Sequence, residues 1–107
     1  ESVHFYKDLY KDSTFVNTSF DETVLNNLTF QDILFEDNLA RNVKMTDTVF
    51  KNIKFTNIEV DNATFENVKF KNCAFDNVAI RNASMPQKLI DELQKQQVES
   101  DNVHPSK

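Results

Sequence analysis

The sequence has no glycine and no tryptophan, and only two prolines, one cysteine and two histidines. Without glycine there is no glycine-rich loop to bring backbone N–H groups against a phosphate, so the common nucleotide cradles are excluded. The single cysteine, Cys73, forms no internal disulfide and belongs to no Cys or His cluster at metal-ligand spacing. His4 and His104 both stand in terminal segments. Carboxylates are numerous, but they are spread along the chain and nothing gathers them into an acid–base pair. No apolar run approaches the length of a membrane span, and no signal-like stretch opens the chain. An excess of basic residues is missing too. The formal net charge of −5 argues against non-specific binding to nucleic acid or to anionic membrane. The expectation is a protein that is not an enzyme and that uses no metal or cofactor.

What is present is a repeat. With 107 residues, 39% of them hydrophobic and 27% charged, the chain suits one domain with a buried core. Its apolar residues fall on a step of five: Phe5, Tyr10, Phe15, Phe20, Leu25, Phe30, Phe35, Ala40, Met45, Phe50, Phe55, Val60, Phe65, Phe70, Phe75, Ile80 and Met85. A step of five advances about 140° around a helix and alternates between the faces of a flat strand, so neither element buries this set on one side. A chain that turns a corner once per five residues does, because every fifth side chain then points at a common axis. Phe15, Phe30, Phe35, Phe50, Phe55, Phe65, Phe70 and Phe75 are the expected structural core. Two places before most centres stands a small or β-branched residue, such as Ile33, Val43, Ile53, Ala63, Val68, Cys73 or Val78, to fill the space between rings, with the larger Leu28 an exception. There Cys73 reads as a buried, inert thiol. Asn38 is the polar exception, in the repeat whose centre is Ala40, and that repeat is expected to be locally irregular. Two places after each centre comes Asn or Asp from Asn17 to Asn82, broken only by Glu22. Asn and Asp tolerate left-handed backbone angles, so they can make corners that glycine would otherwise make.

The number of sides follows from the centres that are not aromatic. Sorted at a spacing of twenty, Leu25, Ala40, Met45, Val60, Ile80 and Met85 fall into two columns, whereas a spacing of fifteen scatters them across three. A four-sided coil of twenty residues is expected, with coils about 4.8 Å apart. It also places Asp21, Arg41, Asp61 and Arg81 in one outward column of alternating charge. The expected organisation is a partial coil or cap over residues 1–12, the β-solenoid over 13–85, a capping helix over 86–98 and a disordered tail over 99–107. Ser84 is the expected N-cap, with Pro86 in the first turn.

The repeats VKFKN, CAFDN and ATFEN identify the chain as similar to the pentapeptide-repeat proteins, over about two-thirds of its length. That resemblance implies an all-β, right-handed quadrilateral parallel β-helix. Phe centres followed by Asn or Asp, as in TVFKNIKF and ATFENVKF, look more like the lumenal domain of the synaptic vesicle glycoprotein 2 family, a receptor for botulinum neurotoxins. The narrower likeness implies a lumenal or extracellular recognition module, with glycans at the sequons Asn17, Asn27, Asn62 and Asn82. Outside it, a cytoplasmic chain fits the lone cysteine equally well, and the repeat itself writes these sequons by chance. Two other classes stand beside it. Some acidic members of the wider family mimic DNA and bind type II topoisomerase, although Lys44, Lys51, Lys54, Lys69 and Lys71 interrupt the acidic surface here. The third is a structural or designed scaffold. The expected partner is a protein, not nucleic acid or membrane, added as a strand at the terminal edge within residues 63–85. Phe70, Val78, Ala79 and Ile80 are the edge residues singled out.

Overall fold

The computed structural model describes Phe5 and residues 8–106 of the chain. Its strands are β1 (Leu9–Lys11), β2 (Thr14–Val16), β3 (Ser19–Asp21), β4 (Val24–Asn26), β5 (Thr29–Lys71), β6 (Ala74–Met85) and β7 (Glu99–Pro105), with one helix, α1 (Gln87–Lys95), before β7. The strands pair in parallel, each residue with the one twenty places later: Tyr10 with Phe30, Phe15 with Phe35, Phe20 with Ala40, Leu25 with Met45, Ile80 with Ser100. Twenty residues at five per side make four faces. The chain is a four-sided parallel β-solenoid with a short helix near its C-terminal end.

The corners arise where the sequence places them. Asp12, Asn17, Glu22, Asn27 and every fifth residue up to Asn82 have positive φ, with Asn102 in the same column later on, and all lie between 51° and 60°. The left-handed region costs an ordinary L-residue about 1–2 kcal/mol and is visited routinely only by Gly, Asn and Asp. Asn therefore does the work of the absent glycine, and it adds a side-chain ladder along each corner. Asn57 Nδ2 donates to Asp37 Oδ1 at 3.0 Å, and Asn77 Nδ2 donates to Asn57 Oδ1 at 2.9 Å. Asn67 donates to Asp47 at 2.7 Å and Asn72 to Asn52 at 2.7 Å in the same manner. Glu22 has φ of 54° with neither advantage. Glu22→Asn should therefore raise stability by about 0.5–1 kcal/mol, read as a shift in the urea midpoint at unchanged slope.

Inside, the Phe columns stack as continuous piles. Phe30, Phe50 and Phe70 lie 5.2 and 5.0 Å apart with planes within 11°, and Phe35, Phe55 and Phe75 repeat this at 5.4 and 5.1 Å. Between the two piles the rings meet edge to face, as at Phe50–Phe55 with 65° between planes. Each such pair adds about 0.5–1.5 kcal/mol beyond the area buried. Phe30, Phe35, Phe50 and Phe65 are buried, whereas Phe15, Phe55, Phe70 and Phe75 are partly buried against the same core. Asn38 is buried as well: its Nδ2 donates to the Thr18 carbonyl at 3.3 Å, but its Oδ1 has no partner among the described residues. The Thr18 carbonyl also accepts the Leu39 N–H, so it stays satisfied without Asn38. Asn38→Val is accordingly expected to stabilise the fold by about 1 kcal/mol, because it removes a buried acceptor whose desolvation costs about 1–3 kcal/mol. Thermal and urea unfolding would show an unchanged or lower midpoint if that oxygen were satisfied.

The ends correct three expectations. Ahead of residue 13, Leu9–Lys11 pairs with Thr29–Gln31 as a partial coil, while residues 1–4, 6 and 7 of the expected partial coil or cap lie outside the described residues. Ser84 caps nothing, because β6 continues through Met85 and Ser84 pairs with His104; the helix starts after Pro86 without a side-chain cap. It also ends earlier than expected, in a left-handed Gln97 at φ 64°. There the Gln97 N–H donates to the Gln94 carbonyl and the Val98 N–H to the Leu93 carbonyl, a Schellman stop with Val98 and Leu93 both buried beneath it.

The third correction concerns the tail. Glu99–Pro105 is not disordered but forms β7, paired with β6. It returns in phase: Asn102 occupies the corner and donates to Asn82 Oδ1 at 2.7 Å, and Val103 pairs with Ala83 and packs on the core. The helix thus replaces two sides of the last coil and hands the chain back at the third.

Candidate binding surfaces

Strand edges are where a solenoid retains unused backbone donors and acceptors. Of the residues singled out for that role, Ala79 and Ile80 are paired with Glu99 and Ser100, and Val78 is buried beside them. Their edge is filled by the chain's own β7, so it is not available to a partner. The missed signal was Asn102, which keeps the corner column while Ser100 breaks the apolar one.

Phe70 is in a different position. Twenty places beyond Lys69–Lys71 and Ala74–Asp76 stand Leu89–Asp91 and Gln94–Gln96, which belong to α1 and its C-terminal end. No strand can therefore continue the ladder on these two sides. In earlier coils the equivalent groups are used: Asp12 N–H donates to the Gln31 carbonyl, and Val49 N–H donates to the Leu28 carbonyl. At the last coil the matching groups are the Asn72 N–H and the Val68 carbonyl. Leu89, which would have met Val68, instead donates to Pro86.

Between this edge and the helix runs a groove. Val68, Lys69, Phe70, Lys71, Lys88, Leu89 and Glu92 line one part, of about 350 Å³, and Phe70, Cys73, Phe75, Glu92, Leu93 and Gln96 line the adjoining part, of about 320 Å³. Half-buried Phe70 and Phe75 make an apolar floor. Lys69, Lys71 and Lys88 stand along one rim against Glu92 alone, in a chain that is acidic as a whole.

Among the described residues no group of three His, Cys, Asp or Glu could hold a metal ion. Burial pushes the Cys73 thiol above its ordinary value, and nearby Glu92 adds to the effect against two backbone hydrogen bonds that oppose it. The Cys73 Sγ donates towards the Phe50 carbonyl at 3.3 Å. No helix of the described chain is long and apolar enough to cross a membrane.

The remaining surfaces are ordered by the same period. Asp21 pairs in register with Arg41, Asp61 with Arg81, and Arg81 with Asp101, so the expected charge column exists and extends one rung further. Arg41 reaches Asp21 at 3.8 Å, while Arg81 turns to Glu59 at 3.2 Å. Alternating signs make this column unlike the continuous negative track of a nucleic-acid backbone. The sequon residues Asn17, Asn27, Asn62 and Asn82 all sit exposed at corners. Asn62 donates its amide to Asn42, and Asn82 donates its own to Asp61 at 2.8 Å.

Five-residue sides, four sides per coil, a parallel ladder and a ring-filled axis define a β-solenoid of the repeat class. The family described as "Pentapeptide repeat region" matches residues 1–65, and the chain belongs to it. The ladder carries the same period past that match, through Met85. A search of curated proteins finds no match. Membership is that of a repeat scaffold or binding module, in a family whose β-solenoids are generally structural or binding proteins.

Proposed function

We propose that the chain is a protein-binding module that accepts an extended, acidic segment of a partner along the edge of its last coil. The observation that carries this reading is the replacement of two sides of that coil by α1, which leaves Lys69–Lys71 and Ala74–Asp76 without a following strand. Main-chain hydrogen bonding to Val68 and Asn72 would supply affinity, as in other strand-addition complexes. Phe70 and Phe75 offer apolar contact on the floor, and Lys69, Lys71 and Lys88 favour acidic side chains at the rim. β7 presents the remaining edge at this end of the solenoid, but its Glu99, Asp101 and Pro105 disfavour strand pairing there.

The test is a display library of short extended peptides, followed by amide NMR with the enriched sequences. Acidic peptides should win, and the shifts should fall between Val68 and Asn77 and on α1. Lys69→Glu with Lys71→Glu should weaken them by roughly twofold to thirtyfold, the range for two exposed ion pairs. Shifts confined to the flat faces, or along β7, would refute the reading.

The Phe–Asn preference supports a lumenal or extracellular setting for this module, with Asn17, Asn27, Asn62 and Asn82 as glycan acceptors. Expression through a eukaryotic secretory pathway should add glycan mass to the intact chain. An unmodified mass would remove that setting without touching the edge proposal.

A further inference from the structure

The solenoid axis is not filled evenly. On one side the centres run Phe20, Ala40, Val60 and Ile80, so the second coil carries a methyl group where the coil before it carries a ring. On the facing sides the same level is occupied by the stacked rings of Phe30, Phe35, Phe50 and Phe55. Those rings are held by their neighbours above, below and at the corner, and they cannot swing across to close the gap. The result is an apolar cavity of about 80 Å³, partly open, with Ala40 in its lining together with Phe5, Phe20, Leu25, Met45 and Val60 among others.

The chemistry of the walls decides what can occupy it. Nearly all the lining side chains are hydrocarbon or thioether. Two polar residues contribute: Thr23 donates its hydroxyl to the Asp21 carbonyl, and Asn38 donates its amide to the Thr18 carbonyl, so that Asn38 Oδ1, buried and without a partner among the described residues, is a single acceptor and too little to hold a water. A water needs two to four hydrogen-bond partners to be held, and apolar cavities of ~150 Å³ stay dry and take benzene or xenon instead. This cavity is about half that size.

We propose that the space beside Ala40 is a binding site for a small, uncharged, apolar guest, of the size of xenon or a hydrocarbon of roughly three carbons. Ala40 is its gatekeeping residue, because any larger side chain there occupies the guest's volume. Ile80, in the same column two coils on, shows that a branched aliphatic centre fits that side of the solenoid.

The test uses the whole chain with methyl groups labelled, under increasing xenon pressure. Saturable shifts are expected at the methyls of Ala40, Leu25, Met45 and Val60, with surface methyls moving only linearly. Ala40→Leu should abolish the saturable response and raise the melting temperature, and Ala40→Val should weaken it in proportion to the volume filled. If Ala40→Leu does not fold, Ala40→Val alone decides the matter. A response that is linear everywhere in the parent chain, or one that survives filling at position 40, would overturn the site. So would cross-relaxation from an ordered water to the Ala40 methyl.

Discussion

Phe50→Ala is expected to destabilise the fold by about 3–5 kcal/mol, the usual cost of deleting a buried aromatic side chain. Phe50 is 4% exposed and sits mid-pile, stacked on Phe30 and Phe70 and edge-on to Phe35 and Phe55. Four ring contacts vanish together, and the neighbours are held on both sides and cannot collapse into the space. Phe5, at the N-terminal end, is only half buried, and its replacement by alanine should cost much less. Denaturant titration of the two variants checks this, and equal losses would mean that the core is not organised as continuous piles.

Removing the chain after Met85 is expected to abolish cooperative folding. That segment supplies Leu89, Ile90, Leu93 and Val98, all buried over the end of the core. Each contributes about 1.5–3 kcal/mol on burial, and their sum is comparable with the 5–15 kcal/mol that holds a domain of this size together. The truncation also strips β7 from β6, exposing Ala79 and Ile80 as a new edge. Far-UV circular dichroism on heating should lose its sigmoidal transition, and a hydrophobic dye should bind at room temperature. A truncated chain that melts as sharply as the parent would show that α1 and β7 are accessories and not a cap.

The regular part of this architecture was legible because its rules are local and repeated. A centre every five residues and an Asn or Asp two places on specify the side length and the corner, and the uneven distribution of aromatic centres specifies four sides. The charge column of Asp21, Arg41, Asp61 and Arg81 followed from the period alone. The C-terminal end was harder, because two of the three cues fail there at once. Ser100 and Pro105 occupy positions where an apolar centre is expected, and the helix interrupts the count of five. Only Asn102 and Val103 keep the pattern, and two residues are too few to outweigh a polar composition. Misplacing the open edge at Val78, Ala79 and Ile80 is a direct consequence of missing β7. The irregularity at Asn38 and Ala40 was visible as a substitution, but the cavity was not, since a void depends on which columns face one another across the axis.

The central claim is that one coil is twenty residues and four sides, and insertion tests it most directly. A second copy of residues 41–60 placed after Val60 adds one whole coil, keeps every column in register and returns α1 to the same two sides. That variant should fold cooperatively, with a melting temperature at or above the parent's and a rod longer by about 4.8 Å in small-angle scattering. A five-residue insertion at the same point turns everything beyond it by one side, so that Phe75 falls in the column of Val60 and the helix meets the wrong edge. It should lower the melting temperature sharply or prevent folding. A chain that tolerates five extra residues as well as it tolerates twenty would contradict the four-sided coil.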